Sequence, residues 1–261
     1  MLQIIQKRKY AYVFSIVTTI GSLALIALWG LNLGIDFKGG TLMEARFTTE
    51  PAPSVVEIQD KLAPLELKSL TVQPTEEKGV LLRYLASDDA ANEKVLDSLK
   101  ELDPAVTQLR TDFVGGSVSS QITKNAFTGT IVSILAILIF IAYAFRRVSG
   151  AVTSWEYGFG AVIALAHDII ITVGVFAFLG EFYGVEIGVP FIAALLTILG
   201  YSVNDTIVVY DRIRENLVRA SSKQSFEETV NRSLNETLGR SINTSMTVII
   251  TLVAIVLFGG E

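Results

Sequence analysis

Two aspartates stand where a carboxylate is expensive. Asp168 lies near the middle of the apolar run Tyr157–Leu179, next to His167, the chain's one histidine, and Asp205 lies with Asn204 in the run Val189–Tyr210. An aspartate at the centre of a membrane helix costs roughly 2.5–3.5 kcal/mol on insertion scales, so it normally faces a bundle interior or water and often serves transport. A carboxylate that changes protonation state there is suited to carrying protons. Desolvation would favour that exchange, and a neighbouring arginine would oppose it. On a 3.6-residue period Thr197, Tyr201, Asn204, Asp205 and Val208 share a face, overlapped by a small-residue ridge of Ala193, Thr197, Gly200 and Asn204. The next apolar run carries a matching polar face of Arg240, Asn243, Thr244, Thr247 and Thr251. Pairing Asp205 with Arg240 across a helix interface is the cheapest way to keep both near lipid. Two plainer readings compete: a structural ion pair, or a helix break at Gly200-Tyr201 with Asn204 or Asp205 capping the helix that follows. For Asp168 the plainer reading is a satisfied polar residue bonded to Thr172 or His167.

The elements that must position these groups follow from composition. The chain has 261 residues, 51% of them hydrophobic and 18% charged, with a mean hydropathy of +0.50. Those values point to a membrane protein. A net charge of -5 argues against a nucleic-acid binder, and the absence of cysteine removes disulfides, thiolate catalysis and Cys-ligated metals. One histidine excludes a His-rich metal site within the chain. Five runs are long enough to cross a core of ~30 Å as helices. They are Ala11–Leu31, Ala126–Phe145, Tyr157–Leu179, Val189–Tyr210 and Ile242–Gly259. The basic start Lys7-Arg8-Lys9 precedes an apolar run too long for a signal peptide, so it reads as an uncleaved anchor.

Orientation comes from the basic residues. Lys7, Arg8 and Lys9, then Arg146 and Arg147, then Arg212, Arg214, Arg219, Lys223, Arg232 and Arg240 mark cytoplasmic segments, while the turn 180–188 carries only Glu181 and Glu186. The expected organisation is 1–33 for the N-terminus and first span, 34–124 for an exported domain with linkers, 125–210 for spans two to four, 211–241 for a cytoplasmic connection and 242–261 for span five. Phe258-Gly259-Gly260-Glu261 looks like a turn into a sixth span. The exported segment reads β-α-β-β-α-β: Thr41–Thr48, Ser54–Leu62, Leu65–Gln73, Val80–Leu85, Asp88–Leu102 and Ala105–Val114. Ser54 and Glu57 form a capping box. This order predicts an α+β ferredoxin-like domain joined to a polytopic helical bundle.

Two further stretches have structural explanations. GIDFKGGT, Gly34–Thr41, lacks the lysine directly after its second glycine that a phosphate loop needs, and reads as an exit turn in which Gly39 and Gly40 take unusual dihedrals. Ser225 and Glu228 make a second capping box, and Phe226, Val230, Leu234 and Leu238 form one stripe, predicting an amphipathic helix at the membrane surface before span five.

Three blocks, GIDFKGG, LAHDIIITVGVF and FIAALLTILGYSVNDTIVVYDRIREN, resemble in order the SecF branch of the SecD/SecF family of the bacterial Sec export machinery. The resemblance covers essentially the whole chain. It implies a half-unit of the resistance–nodulation–division (RND) superfamily with six spans, in the bacterial cytoplasmic membrane. It implies a SecD partner, action with the SecY–SecE–SecG channel after the SecA motor, and use of the proton gradient to help draw unfolded preproteins across. On the matching positions it implies Asp205 and Arg240 as members of a proton path, with Asn204 beside them and Asp168 a weaker member. Thr197, Tyr201, Asn243 and Thr247 would support the helix seam, and Gly34, Asp36, Gly39 and Gly40 would form the family's signature turn. It implies neither an enzyme nor a cofactor. Two alternatives stand beside it: a proton-coupled RND exporter of solutes or lipids, and a scaffold whose polar seam only holds helices together. Two large exported domains in one chain would favour the exporter; a single domain of about eighty residues favours a half-unit.

Overall fold

The apolar runs do become long helices. The computed structural model describes residues 1–75, 78–85, 89–144, 152–220 and 224–258. Helices α1 (Arg8–Trp29), α5 (Gly116–Ala144), α6 (Ser154–Tyr183), α7 (Val189–Arg219) and α8 (Phe226–Phe258) are each long and apolar enough to cross a membrane. With this make-up the chain is a multi-pass membrane protein. The basic residues Arg146, Arg147 and Lys223, and the end Gly259-Gly260-Glu261, lie outside the described residues.

Three elements differ from the sequence reading. The turns ahead of span five do not form a separate surface helix, because α8 runs without interruption from Phe226 to Phe258. Its capping box is present: the Ser225 N–H donates to Glu228 Oε2, and the Glu228 N–H to Ser225 Oγ. The linker expected at the end of the 34–124 segment is helical instead, since α5 already starts at Gly116. The break at Gly200-Tyr201 is also absent: α7 is continuous, so neither Asn204 nor Asp205 is a cap. At Gly200-Tyr201 an unbroken backbone hydrogen-bond ladder outweighs a local stop signal, as expected where lipid offers those groups no substitute.

The chain divides into two compact units. One comprises Asn32–Gly129 and Glu186–Ile192 and contains a four-stranded sheet, β1 (Gly40–Arg46), β2 (Lys68–Pro74), β3 (Gly79–Leu85) and β4 (Thr107–Val114), in the order β2-β3-β1-β4 with every pair antiparallel. Helices α3 (Val55–Leu62) and α4 (Asp89–Leu102) complete the expected β-α-β-β-α-β order; Asp88, the expected start of α4, is outside the described residues. The predicted Leu65 start of the second strand is instead occupied by a 3-10 turn, Ala63–Leu65, with Pro64 in its first positions. Met43 and Ala45 alternate inward along β1 and Phe47 follows just past its end, all three buried with Ile58, Leu62, Leu82, Val95 and Leu99. The Ser54–Glu57 capping box opens α3. Asp103, just past α4, is buried and accepts hydrogen bonds from the Thr48, Thr49 and Ala105 N–H groups and the Thr48 hydroxyl, which holds its carboxyl down to about 2.

The other unit comprises Met1–Leu31, Thr130–Val185 and Ala193–Glu261. Its apolar core joins Ile141 of α5, Tyr157, Ala161 and Leu165 of α6, and Leu199 and Val203 of α7. Helices α1 and α6 touch at Ser22 and Gly174, where a Cβ on the glycine would come within 2.3 Å of the serine Cβ. Small residues at a membrane-helix crossing allow this backbone approach. The residues α8 buries are all polar: Thr229, Asn231, Ser233 and Thr237.

Candidate functional site

Continuity of α7 fixes what surrounds its polar residues. Asp205 Oδ1 accepts a hydrogen bond from Ser241 Oγ of α8 at 2.8 Å. The expected pair with Arg240 is not formed. Arg240 instead lines a cavity of about 420 Å³ with Asp211, Arg212, Glu215 and Glu236, and makes no ion pair among the described residues. The reason is helical geometry: consecutive residues lie about 100° apart around the axis, so the helix face that presents Ser241 to Asp205 turns Arg240 aside.

Asp168 is held in the same manner. Its Oδ2 accepts from Ser202 Oγ of α7 at 2.6 Å, and its Oδ1 lies 2.9 Å from His167 Nδ1. Thr172 does not bond the carboxylate; its hydroxyl donates to the Asp168 backbone carbonyl. His167 Nε2 is buried and has no hydrogen-bond partner among the described residues. Asp168, Ser202, Asp205 and Ser241 thus form two hydrogen bonds that link α6 to α7 and α7 to α8. Ser202 and Asp205 are three residues apart, one turn along the same side of α7.

The predicted seam residues divide. The Thr197, Thr244, Thr247 and Thr251 hydroxyls donate to carbonyls of their own helices, at Ala193, Arg240, Thr244 and Thr247. These satisfied threonines add no bond between helices. Asn204 and Asn243 are exposed and make no hydrogen bond among the described residues, and Tyr201 is exposed as well.

Beyond that seam α7 and α8 are joined by a denser clasp. The Arg212 guanidinium donates from Nε to Glu236 at 2.6 Å and from Nη1 to Glu215 at 2.7 Å. The buried Asn216 donates to Ser233 Oγ at 3.0 Å and to Glu236 at 2.8 Å. The start of the chain is also tied to α8: Asn231 Oδ1 accepts the Ile4 and Ile5 N–H groups, Asn235 Oδ1 accepts that of Leu2, and both amides donate to the Leu2 carbonyl. Arg8 pairs with Glu227 at 2.7 Å. Glu227, Asn231 and Asn235 recur every four residues, a spacing visible in the sequence, although nothing there names their partner some 220 residues away.

The glycine turn does more than exit a span. Residues Ile35–Lys38 form a single helical turn, α2, after which Gly39 and Gly40 take φ of 74° and 115°. A Cβ on Gly40 would lie 2.7 Å from the Tyr84 carbonyl. Asp36 Oδ2 accepts the Val189 N–H, the first residue of α7, at 2.9 Å, and the Gly34 N–H donates to the Ile187 carbonyl. Arg83 of β3 pairs with Glu186. Burial pushes the Arg83 guanidinium below its ordinary value and the Glu186 carboxyl above its own, so for both groups lost hydration outweighs mutual attraction. The signature turn is therefore bonded to the segment that begins α7, a connection the sequence did not suggest.

Residues 94–261 match the family described as protein export membrane protein SecD/SecF, C-terminal, and residues 30–50 match the SecD/SecF GG motif. The chain is 39% identical to the protein translocase subunit SecF of Thermobaculum terrenum, across all of this chain and 84% of that one. Identity to the SecF subunit of Sebaldella termitidis is 36%, across all of this chain and 82% of the relative. The crystal structure of SecDF from Thermus thermophilus, a translocon-associated membrane protein, superposes on 98% of this chain with a TM-score of 0.81 and 30% identity. This chain spans 34% of that longer one. A second SecDF structure, in a super-membrane-facing form, gives a TM-score of 0.63 at 31% identity. By the residues it matches and the relatives it parallels along its whole length, the chain belongs to the SecD/SecF family of protein-export membrane proteins.

Proposed function

We propose that this chain works as the SecF-type half of a SecD–SecF complex, assisting Sec-dependent export of unfolded preproteins with energy from the proton gradient. It would sit in the bacterial cytoplasmic membrane with its N-terminus in the cytoplasm and the domain 34–124 exported. SecD and the SecY–SecE–SecG channel, supplied by SecA, would be its partners. The observation that carries the coupling role is Asp205, a carboxylate within a membrane-spanning helix whose bonded partner is a neutral hydroxyl. With no cation locked onto it, such a group can exchange a proton without first breaking an ion pair. One charge crossing the membrane is worth about 2.3 kcal/mol per 100 mV, enough to shift a two-state helix packing by more than tenfold.

The same reading gives the coupling a route. Asp205 changes protonation, α7 shifts against α6 and α8, and the Asp36 bond at the start of α7 carries the shift to the Gly34–Gly40 turn and β1. The solute-exporter and scaffold alternatives gain no specific support from the relatives. The test uses inverted membrane vesicles holding the whole Sec system and an imposed gradient. With Asp205→Asn, assembly with SecD should persist while gradient-dependent completion of preprotein export falls to the level seen without a gradient. Unchanged gradient dependence would remove Asp205 from the coupling step.

A further inference from the structure

Each of the two intramembrane carboxylates is bonded to a serine of the next helix, Asp168 to Ser202 and Asp205 to Ser241, and serine has a property arginine lacks. A hydroxyl both donates and accepts and can rotate to do either; a guanidinium only donates. Against an ionised aspartate the serine donates. Against a protonated one the carboxyl O–H donates and the serine oxygen accepts. The bond thus survives a change of protonation by reversing its direction, whereas an Asp–Arg bond to the protonating oxygen would be lost.

We propose that Ser241 is a positioning residue for proton exchange at Asp205, holding the carboxyl in one place in both protonation states and apart from Arg240, with Ser202 doing the same for Asp168. The proposal rests on the reading of Asp205 as the coupling group. The charged groups lining the neighbouring cavity are Arg240 and Glu236 on α8 and Asp211, Arg212 and Glu215 on α7, and His167 lies beside Asp168 on α6. Arg240 and Ser241 are consecutive, so a turn of α8 that brings one toward Asp205 takes the other away. Ser202 lies one turn from Asp205, so release of either bond displaces the same stretch of α7.

Infrared difference spectra of the intact complex in lipid, recorded across a pH step, test this. The band of the protonated Asp205 carboxyl is identified by its loss in Asp205→Asn. Ser241→Ala should move that band to higher frequency, as expected for a carboxyl that has lost its hydrogen bond, and should cut gradient-driven export about tenfold, the scale of one hydrogen bond to a charged group. Ser241→Thr, which keeps the hydroxyl, should restore both. Ser202→Ala should leave the Asp205 band in place and move the one lost in Asp168→Asn. A band present in the wild type and unmoved by Ser241→Ala overturns the serine's role while leaving Asp205 as the coupling group. If Asp205→Asn removes no band, the coupling assignment itself fails, and the serine's role with it.

Discussion

The sheet-containing unit and helix α8 of the helical unit bury opposite kinds of residue. In the first, Met43, Leu62, Leu82, Val95 and Leu99 are fully enclosed, and the one buried charged side chain among the described residues, Asp103, has its oxygens filled by four donors. In the second, α8 turns Thr229, Asn231, Ser233 and Thr237 inward and leaves Leu252, Val253, Ile255, Val256 and Leu257 exposed. Water drives the first arrangement by expelling apolar surface. Lipid provides no such force between helices, so close packing of small residues and interhelical hydrogen bonds hold the second. The polar groups therefore do different work. Asp103 is locked in one state by its donors, whereas Asp205 has among the described residues one hydrogen-bond partner, the neutral Ser241 hydroxyl.

Substitutions can break this contrast from either side. Leu82→Ala, at a fully enclosed site, should cost the sheet unit about 2–5 kcal/mol, while Val256→Ala, on the exposed face of α8, should stay within about 0.5 kcal/mol. Unfolding followed by proteolysis of the detergent-solubilised protein separates the two. Gly40→Ala comes next, at about 3 kcal/mol, because it combines a backbone conformation that suits glycine with a clash against a backbone carbonyl. Gly116, whose Cβ would meet nothing within 4 Å, is its control.

In the helical unit Gly174→Ala should cost about 1–3 kcal/mol by forcing α1 from α6, and Gly158→Ala, in open space, should not. Thermal unfolding monitored by circular dichroism reads both. The smallest effect is a pH dependence of the sheet unit. The Asp103 carboxyl is lowered from 3.8 to about 2, so its contribution is fully present above about 3.8 and is lost as pH falls toward 2. Asp103→Asn should flatten the acid limb of the stability profile without changing it near neutrality in the same direction. Equal acid limbs in both proteins would show that Asp103 does not lock the unit.

What the sequence disclosed follows the same division. Periodicity located five apolar helices and the sequence of strands and helices along the small domain, because burial there repeats every two or 3.6 residues along the chain. Capping boxes at Ser54 and Ser225, and the positive φ of Gly39 and Gly40, depend on neighbours a few residues away and were equally legible. The serine partners of the carboxylates were not, although His167 beside Asp168 was. Serines such as Ser202 and Ser241 are unremarkable within helices, and charge pairing pointed to Arg240, one position and about 100° from the group that makes the bond. The Asp36 cap on α7 and the asparagines that hold the N-terminus join residues 153 to 233 apart, and no local pattern encodes such distances.

On the proposed reading Asp205 exchanges a proton when the gradient drives export. Its most direct test is proton uptake into proteoliposomes containing this chain, SecD and the channel, followed by an internal pH dye while a preprotein is translocated. Export-coupled uptake is expected in the wild type and its loss in Asp205→Asn, with the complex still assembled. Equal uptake in both would contradict it.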